Sequence, residues 1–149
     1  MAILYPTANN VVECTPSTGT NYTCVDDVTL DTEDSVGVTA NSDTEYIVKC
    51  DDFVLGDIEE GLLVNSVKAF SVVGSLGWQY GYAKIKFHVT IGGTKYYSPE
   101  FTIDSLNSVF SYEWVKNPAT GNDWTASVIN GMTAGYTLYV KGSINETSK

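Results

Sequence analysis

The stretch AKIKFHVTIGGTKYY, residues 83–97, decides the fold class of this 149-residue chain. Apolar and polar side chains alternate up to Ile91, which is the period-two pattern of a β-strand with one buried face. Gly92 and Gly93 then supply the positive φ angles of a two-residue hairpin turn, after which the chain returns as a second strand. His88 falls on the polar side of the first strand, so we expect it to be exposed to solvent.

Outward from this hairpin, other segments place β-branched and aromatic residues between turn-forming ones. One short helix is predicted, with Thr125 as its N-cap and Gly131 as its stop. Short strands with almost no helix indicate an all-β fold, a two-sheet antiparallel sandwich in a single domain spanning residues 1–149. The further strands are predicted at residues 11–14, 21–25, 36–39, 45–50, 62–73, 100–103, 109–115 and 135–143.

The charge of the chain restricts its partners. The formal net charge is −10, and arginine is absent. Nucleic-acid binding proteins need a positive field and commonly use the arginine fork, so we expect no nucleic-acid partner. Residues 1–60 carry thirteen acidic side chains against Lys49 alone, which fits a solvated surface, a salty habitat, or a face that meets cations or a basic partner. We recognise neither a signal peptide nor a membrane span, so we expect a protein made in soluble form without membrane insertion.

The three cysteines leave two interpretations open. Cys14 and Cys24 flank a polar loop, and their spacing fits either a disulfide bond that closes this loop or three free thiols. If the bond forms, Cys50 remains as a small, buried hydrophobic residue. The spacing matches no zinc pattern.

Five acidic residues lie close together in the segment 26–34. Calcium is the metal that they would suit best, because it prefers hard oxygen ligands. The spacing lacks the glycine and the regular ligand positions of an EF-hand, so a bound ion and a solvated acidic loop are both compatible with it. No other cofactor is expected. The acidic residues concerned are Asp26, Asp27, Asp31, Glu33 and Asp34.

Groups that could support catalysis are sparse. His88 is the single histidine, and no nucleophile motif accompanies it. Neighbouring carboxylates such as Asp51 and Asp52 point to opposite faces of a strand, so they do not form a glycosidase pair, and we expect them in turns or at the surface. We predict that the chain is not an enzyme.

Five aromatic side chains lie in or beside the hairpin and could bind a partner. Such side chains serve as anchors in protein interfaces, stack on sugar rings, or fill the rim of a core, and all three roles fit this pattern. Trp114 and Trp124 are expected to be structural. The interface or sugar-stacking candidates are Trp78, Tyr80, Tyr82, Tyr96 and Tyr97.

A series of motifs along the chain carries a family resemblance. The most specific is Trp114…Asn117-Pro118-x-Thr120-Gly121-x-x-Trp124-Thr125, which is preceded by NYTCVDD (21–27) and LVNSVKA (63–69) and followed by Ile129-Asn130 and Ala134-Gly135. In this order the chain resembles a jelly-roll domain that recurs in structural proteins of tailed phages and archaeal viruses. The topology of that domain is similar to carbohydrate-binding modules and galactose-binding-like domains.

The resemblance implies a virion structural protein: a capsid decoration protein, a spike or turret module, or part of a tail or fibre. Its partners would be copies of itself and other virion proteins, and its place would be the extracellular particle. The alternative is a carbohydrate-binding module or adhesin domain that binds cell-surface glycans. Because such domains usually end with one more apolar strand, either residues 135–144 form the closing strand or another chain fills an open sheet edge.

Overall fold

The computed structural model describes residues 4–16, 36–37, 46–73, 82–103 and 108–141. Within these ranges the chain forms short antiparallel strands and a single helical turn. The elements are β1 (Pro6–Val11), β2 (Thr15–Pro16), β3 (Val36–Gly37), β4 (Tyr46–Leu55), β5 (Val67–Val73), β6 (Tyr82–Ile91), β7 (Thr94–Tyr97), β8 (Phe101–Ile103), β9 (Ser108–Trp114), α1 (Ala126–Asn130) and β10 (Thr133–Lys141).

The larger sheet has the strand order β1-β4-β10-β6-β7, and β8 pairs with β6 beyond the end of β7. The predicted hairpin is confirmed, because β6 and β7 pair from Ile91↔Thr94 onward and the turn residues have φ angles of 57° and 81°. One side of β6 is buried as the alternation predicted. Its buried residues are Ala83, Ile85, Phe87 and Val89.

The smaller sheet consists of β5 and β9, which pair without interruption from Val67↔Trp114 to Val73↔Ser108. A row of rings connects the two sheets. The ring centroids of Phe87 and Phe101 are 6.1 Å apart, and those of Phe101 and Phe110 are 5.8 Å apart. These rings join the larger sheet to β9 within the hydrophobic core, so the predicted all-β sandwich is confirmed.

The helix has the predicted ends. Thr125 caps α1 by accepting a hydrogen bond from the backbone N–H of Val128, and the Gly131 N–H bonds to the last turn. The preceding loop is held to the core, because the Trp124 indole donates to the Trp114 carbonyl at 2.8 Å. Trp114 and Trp124 are both buried, as expected. None of the described helical residues forms a segment that is long and apolar enough to cross a bilayer.

Several strand limits differ from the predictions. The strand predicted at 45–50 continues to Leu55, through two adjacent aspartates, because both carboxylates find hydrogen-bond partners inside the fold. The first strand lies at Pro6–Val11 rather than at 11–14. The segment at 21–25 lies outside the described residues. The strand predicted at 135–143 is observed as β10, which lies between β4 and β6 in the middle of the larger sheet.

Candidate functional site

The predicted aromatic candidates do not share one surface. Tyr96 and Tyr97 are neighbours on β7 and therefore point to opposite faces of the larger sheet. Tyr96 packs against the core, whereas Tyr97 is 46% exposed on the outer face. Tyr82 belongs to β6, opposite Lys141 of β10. Trp78 and Tyr80 lie outside the described residues.

The predicted calcium ligands Asp26, Asp27, Asp31, Glu33 and Asp34 lie outside the described residues, and so does Cys24. In the part of the chain that is described, His, Cys, Asp and Glu side chains form no group of three or more that could hold a metal ion. Cys14 is buried, and this burial, together with the nearby Asp51 carboxylate, raises the pKa of its thiol to about 12. The bond between Cys14 and Cys24 remains a prediction.

The expectation that His88 is exposed is wrong, because its relative exposure is 0% although it does lie on the outer face of the larger sheet. The reason lies in the neighbouring strands. Gly135 of β10 stands between His88 on one side and Asp52 of β4 on the other. Since glycine has no side chain, the His88 ring can lie across β10, and its Nε2 is 3.2 Å from Asp52 Oδ1.

Asp52 is the centre of what we call the outer polar cluster, formed by Asn10, Asp52, His88 and Thr133. Besides His88, its carboxylate accepts hydrogen bonds from Asn10 Nδ2 and from Thr133 Oγ1, both at 2.8 Å. Burial works to raise the pKa of Asp52, but the hydrogen bonds from His88, Asn10 and Thr133 outweigh it and hold the pKa below the ordinary 3.8. Because an ionised carboxylate only accepts hydrogen bonds, we assign the imidazole proton to Nε2.

Gly135 is required by the backbone as well as by the cluster. A Cβ atom at this position would lie 2.0 Å from the carbonyl oxygen of Asp51 and 2.8 Å from the Cα of Asp52. Strands β4 and β10 are therefore packed too closely here for any other residue. The resemblance included this glycine, but the sequence contains no signal for the close approach of β4.

The expectation that Asp51 and Asp52 are surface or turn acids is also wrong, since their relative exposures are 0% and 1%. As predicted, they point to opposite faces of β4. The Asp51 carboxylate accepts the backbone N–H groups of Glu13 and Cys14 at 2.8 and 3.0 Å, and the Tyr136 hydroxyl at 3.1 Å. Asp51 therefore binds the chain that follows β1 to the middle of the larger sheet.

Longer side chains cover the outer polar cluster from solvent. Lys95 of β7 contacts β4, from which β7 is separated by β10 and β6 in the strand order, and its Nζ lies 2.9 Å from the Sγ of Cys50. The ring of Tyr97 meets the His88 ring edge-on, with centroids 5.6 Å apart. Lys86 places its Nζ 4.2 Å from the centroid of the Tyr97 ring. This cover explains how a polar side chain on the outer face of a sheet becomes fully buried.

Burial limits the chemistry that the outer polar cluster can carry out. His88 and Asp52 cannot touch a substrate without displacing the side chains above them, so in this arrangement they position the strands. Nδ1 of His88 and Oγ1 of Thr90, two residues apart on the same face of β6, are buried and have no hydrogen-bond partner within the described structure. Cys50 is only partly buried, so of the two cysteines in the described part of the chain it is the one that a small reagent can reach.

The outer face of the smaller sheet has the opposite character. Phe70 is 42% exposed and Val109 is 64% exposed. The register pairs Phe70 with Ser111 and residue 72 with Val109. The side chains of Phe70 and Val109 are therefore diagonal neighbours on one face. Val115, directly after the end of β9, is also exposed. Because residues 67–73 place apolar residues on both sides of the strand, alternation does not distinguish the inner face from the outer one.

We compared the chain with known proteins. No protein-family model matches it, and searches of curated proteins and of solved structures find no match either. The function must therefore be inferred from the surfaces and groups described above.

Proposed function

We propose that this chain is a non-catalytic structural module of a virus particle, which works by binding copies of itself and other particle proteins. The observation that carries the proposal is the exposed apolar pair Phe70 and Val109, diagonal neighbours on the outer face of the smaller sheet, which also carries Lys68 and Glu113. Exposed apolar side chains that adjoin one another are typical of surfaces that another protein covers.

The buried positions of the titratable groups support a structural role. A catalytic acid or base must approach the reacting atoms of its substrate within hydrogen-bond distance. His88, Asp51 and Asp52 are instead enclosed and bonded to other parts of the fold. The family resemblance supplies the virion setting, and the described geometry is compatible with it.

Assembly through this face is tested by light scattering coupled to size-exclusion chromatography. We expect the unmodified chain to form oligomers and the double variant Phe70→Ser/Val109→Ser to elute as a monomer with an unchanged circular-dichroism spectrum. The matched control is Val48→Ser/Val54→Ser, which replaces two exposed valines on the outer face of the larger sheet and should leave the oligomers intact. A strictly monomeric wild-type chain at all concentrations would contradict the proposal.

The virion setting needs a separate measurement. We expect mass spectrometry to detect this chain in particles that have been purified by density gradient from its native source. If the chain stays with the soluble proteins and never sediments with particles, the virion assignment is wrong even where the smaller sheet mediates assembly.

One observation favours the alternative of a carbohydrate-binding module. Tyr97 exposes nearly half of its surface on the outer face of the larger sheet, beside the amino group of Lys86. An exposed ring with a neighbouring hydrogen-bond donor is the kind of group that stacks on a sugar. This alternative expects retention on a glycan array that is lost in Tyr97→Ala, whereas the structural role expects no glycan binding.

A further inference from the structure

We propose that Cys50 and Lys95 form a covalent cross-link across the outer face of the larger sheet when the protein meets a peroxide. The two side chains come from β4 and β7, with β10 and β6 between them. Their reacting atoms, Cys50 Sγ and Lys95 Nζ, are already 2.9 Å apart. This inference is independent of the proposed structural role.

The contact is close for a pair that contains sulfur. A separation of 2.9 Å is usual for an N–H···O bond, although sulfur is a larger atom than oxygen. The contact joins residues that are distant in the sheet order, since Lys95 pairs with Thr90 of β6 and Cys50 pairs with Thr137 of β10. The fold therefore holds a nucleophilic sulfur and an amine at a distance from which only a small movement forms a bond.

Cys14 shows why the reaction selects Cys50. Cys14 is buried in the core, and burial and the Asp51 charge raise the pKa of its thiol to about 12, which leaves almost no thiolate at neutral pH. Cys50 is partly accessible, and a lysine ammonium group lies against its sulfur. A peroxide must reach the sulfur that it oxidises, and the partial exposure of Cys50 permits this contact.

The chemistry proceeds in two steps. First, the Cys50 sulfur attacks one oxygen of hydrogen peroxide, the O–O bond breaks, water leaves, and the sulfur, oxidised by two electrons, becomes a sulfenic acid. Second, the unprotonated Lys95 amine attacks that sulfur, an S–N bond forms and the S–O bond breaks. The departing hydroxide takes up the proton released by nitrogen. In sum, one thiol, one amine and one peroxide give one sulfenamide and two waters.

The surroundings of Lys95 promote the second step. Burial lowers the pKa of Lys95, but the hydrogen bond and charge of Cys50, together with the charges of Asp52 and Tyr97, raise it above its ordinary value, so the amine is protonated while the sulfur is reduced. A sulfenic acid carries no charge. Oxidation thus weakens the Cys50 contribution to keeping Lys95 protonated, while burial, which favours the neutral amine, remains.

The experiment uses a chain in which Cys50 is the single thiol, made by Cys14→Ala and Cys24→Ser, treated with hydrogen peroxide while folded. We expect the intact mass to fall by two hydrogen atoms and trypsin to stop cleaving after Lys95. The digest should contain one peptide that joins Cys50 to Lys95, and a thiol reductant should restore the original mass. The same joined peptide is expected from the wild-type chain.

Three variants serve as controls in that background. Cys50→Ser and Lys95→Arg should abolish the joined peptide, and Lys95→Arg keeps the positive charge beside the sulfur. Lys86→Met removes another lysine from the same face and should leave the cross-link intact. Oxidation of Cys50 to a sulfinic acid with normal cleavage after Lys95 would overturn the proposal. A joined product that retains an oxygen atom would overturn the S–N bond.

Discussion

The outer faces of the two sheets differ in which side chains they bury. On the larger sheet, Asp52 and His88 are buried although both are polar. On the smaller sheet, Phe70 and Val109 are exposed although both are apolar. The difference shows that the burial of a side chain on an outer face depends on what crosses over it. Lys95 and Tyr97 lie near the first pair and shield it, whereas Phe70 and Val109 keep 42% and 64% of their surface exposed.

Gly135→Ala should have the largest effect, because it breaks the arrangement that lets the outer polar cluster form. The new Cβ would overlap the Asp51 carbonyl oxygen, so β4 and β10 would have to separate. We expect the free energy of unfolding in urea to fall by about 4 kcal/mol, near the upper end for a single substitution. Gly56→Ala is the control, since its Cβ would meet only atoms at ordinary contact distance. A stable Gly135→Ala protein would contradict the close packing of these strands.

Asp52→Ala should have the next largest effect. It removes the common acceptor of His88, Asn10 and Thr133 and leaves buried donors without a partner. We expect a loss of about 3 kcal/mol in the free energy of unfolding, as for other broken buried hydrogen bonds to a charged group. Asp57→Ala removes an exposed acid and serves as the control, with a change below about 0.5 kcal/mol. Equal losses in the two variants would show that the outer polar cluster stabilises the fold no more than an exposed acid does.

The pH dependence of stability should identify the same carboxylate. Because hydrogen bonding lowers the pKa of Asp52 in the folded state, its ionised form stabilises the fold above pH 3.8, the ordinary value. This contribution is lost as the pH falls below 3.8 through the lower folded-state value. The unfolding free energy of wild type should therefore decline more steeply over that range than that of Asp52→Asn. Parallel curves for the two proteins would contradict the pKa assignment.

The double variant Phe70→Ser/Val109→Ser should change the stability of the isolated chain only modestly, by about 1 kcal/mol or less, because both side chains are exposed to solvent, at 42% and 64%. Urea unfolding at a concentration too low for assembly measures this effect. A loss of several kcal/mol would mean that this face is part of the folding core of one chain and would remove the contrast between the sheets.

Lys84→Met should have the smallest effect. Lys84 and Glu100 form an ion pair at 3.0 Å, with 38% and 43% of their side chains exposed. Such a pair contributes about 0.5 kcal/mol or less, because water and salt screen its charges. Thermal unfolding at low and high salt should barely distinguish the variant from wild type. A large loss would show that charge on this face matters even where it is not buried.

The sequence allowed the fold to be predicted where local pattern and tertiary burial agree. The alternation at residues 83–91, the Gly92-Gly93 turn and the cap at Thr125 are all observed. The pattern also assigned His88 to the correct face of β6. It gave the wrong exposure, because periodicity identifies the side of a strand on which a residue lies but not the cover on that side. Asp51 and Asp52 were misjudged for the same reason.

By itself, the sequence determined the class of fold, the hairpin, the short helix and the division of β6 into an apolar and a polar face, because these follow from interactions between residues that are close along the chain. Only the tertiary structure decided which residues meet across the sheet. Asp52, His88 and Gly135 are far apart in sequence, and so are Cys50 and Lys95. Their contacts exist because β10 lies between β4 and β6, and strand order depends on the packing of the whole chain.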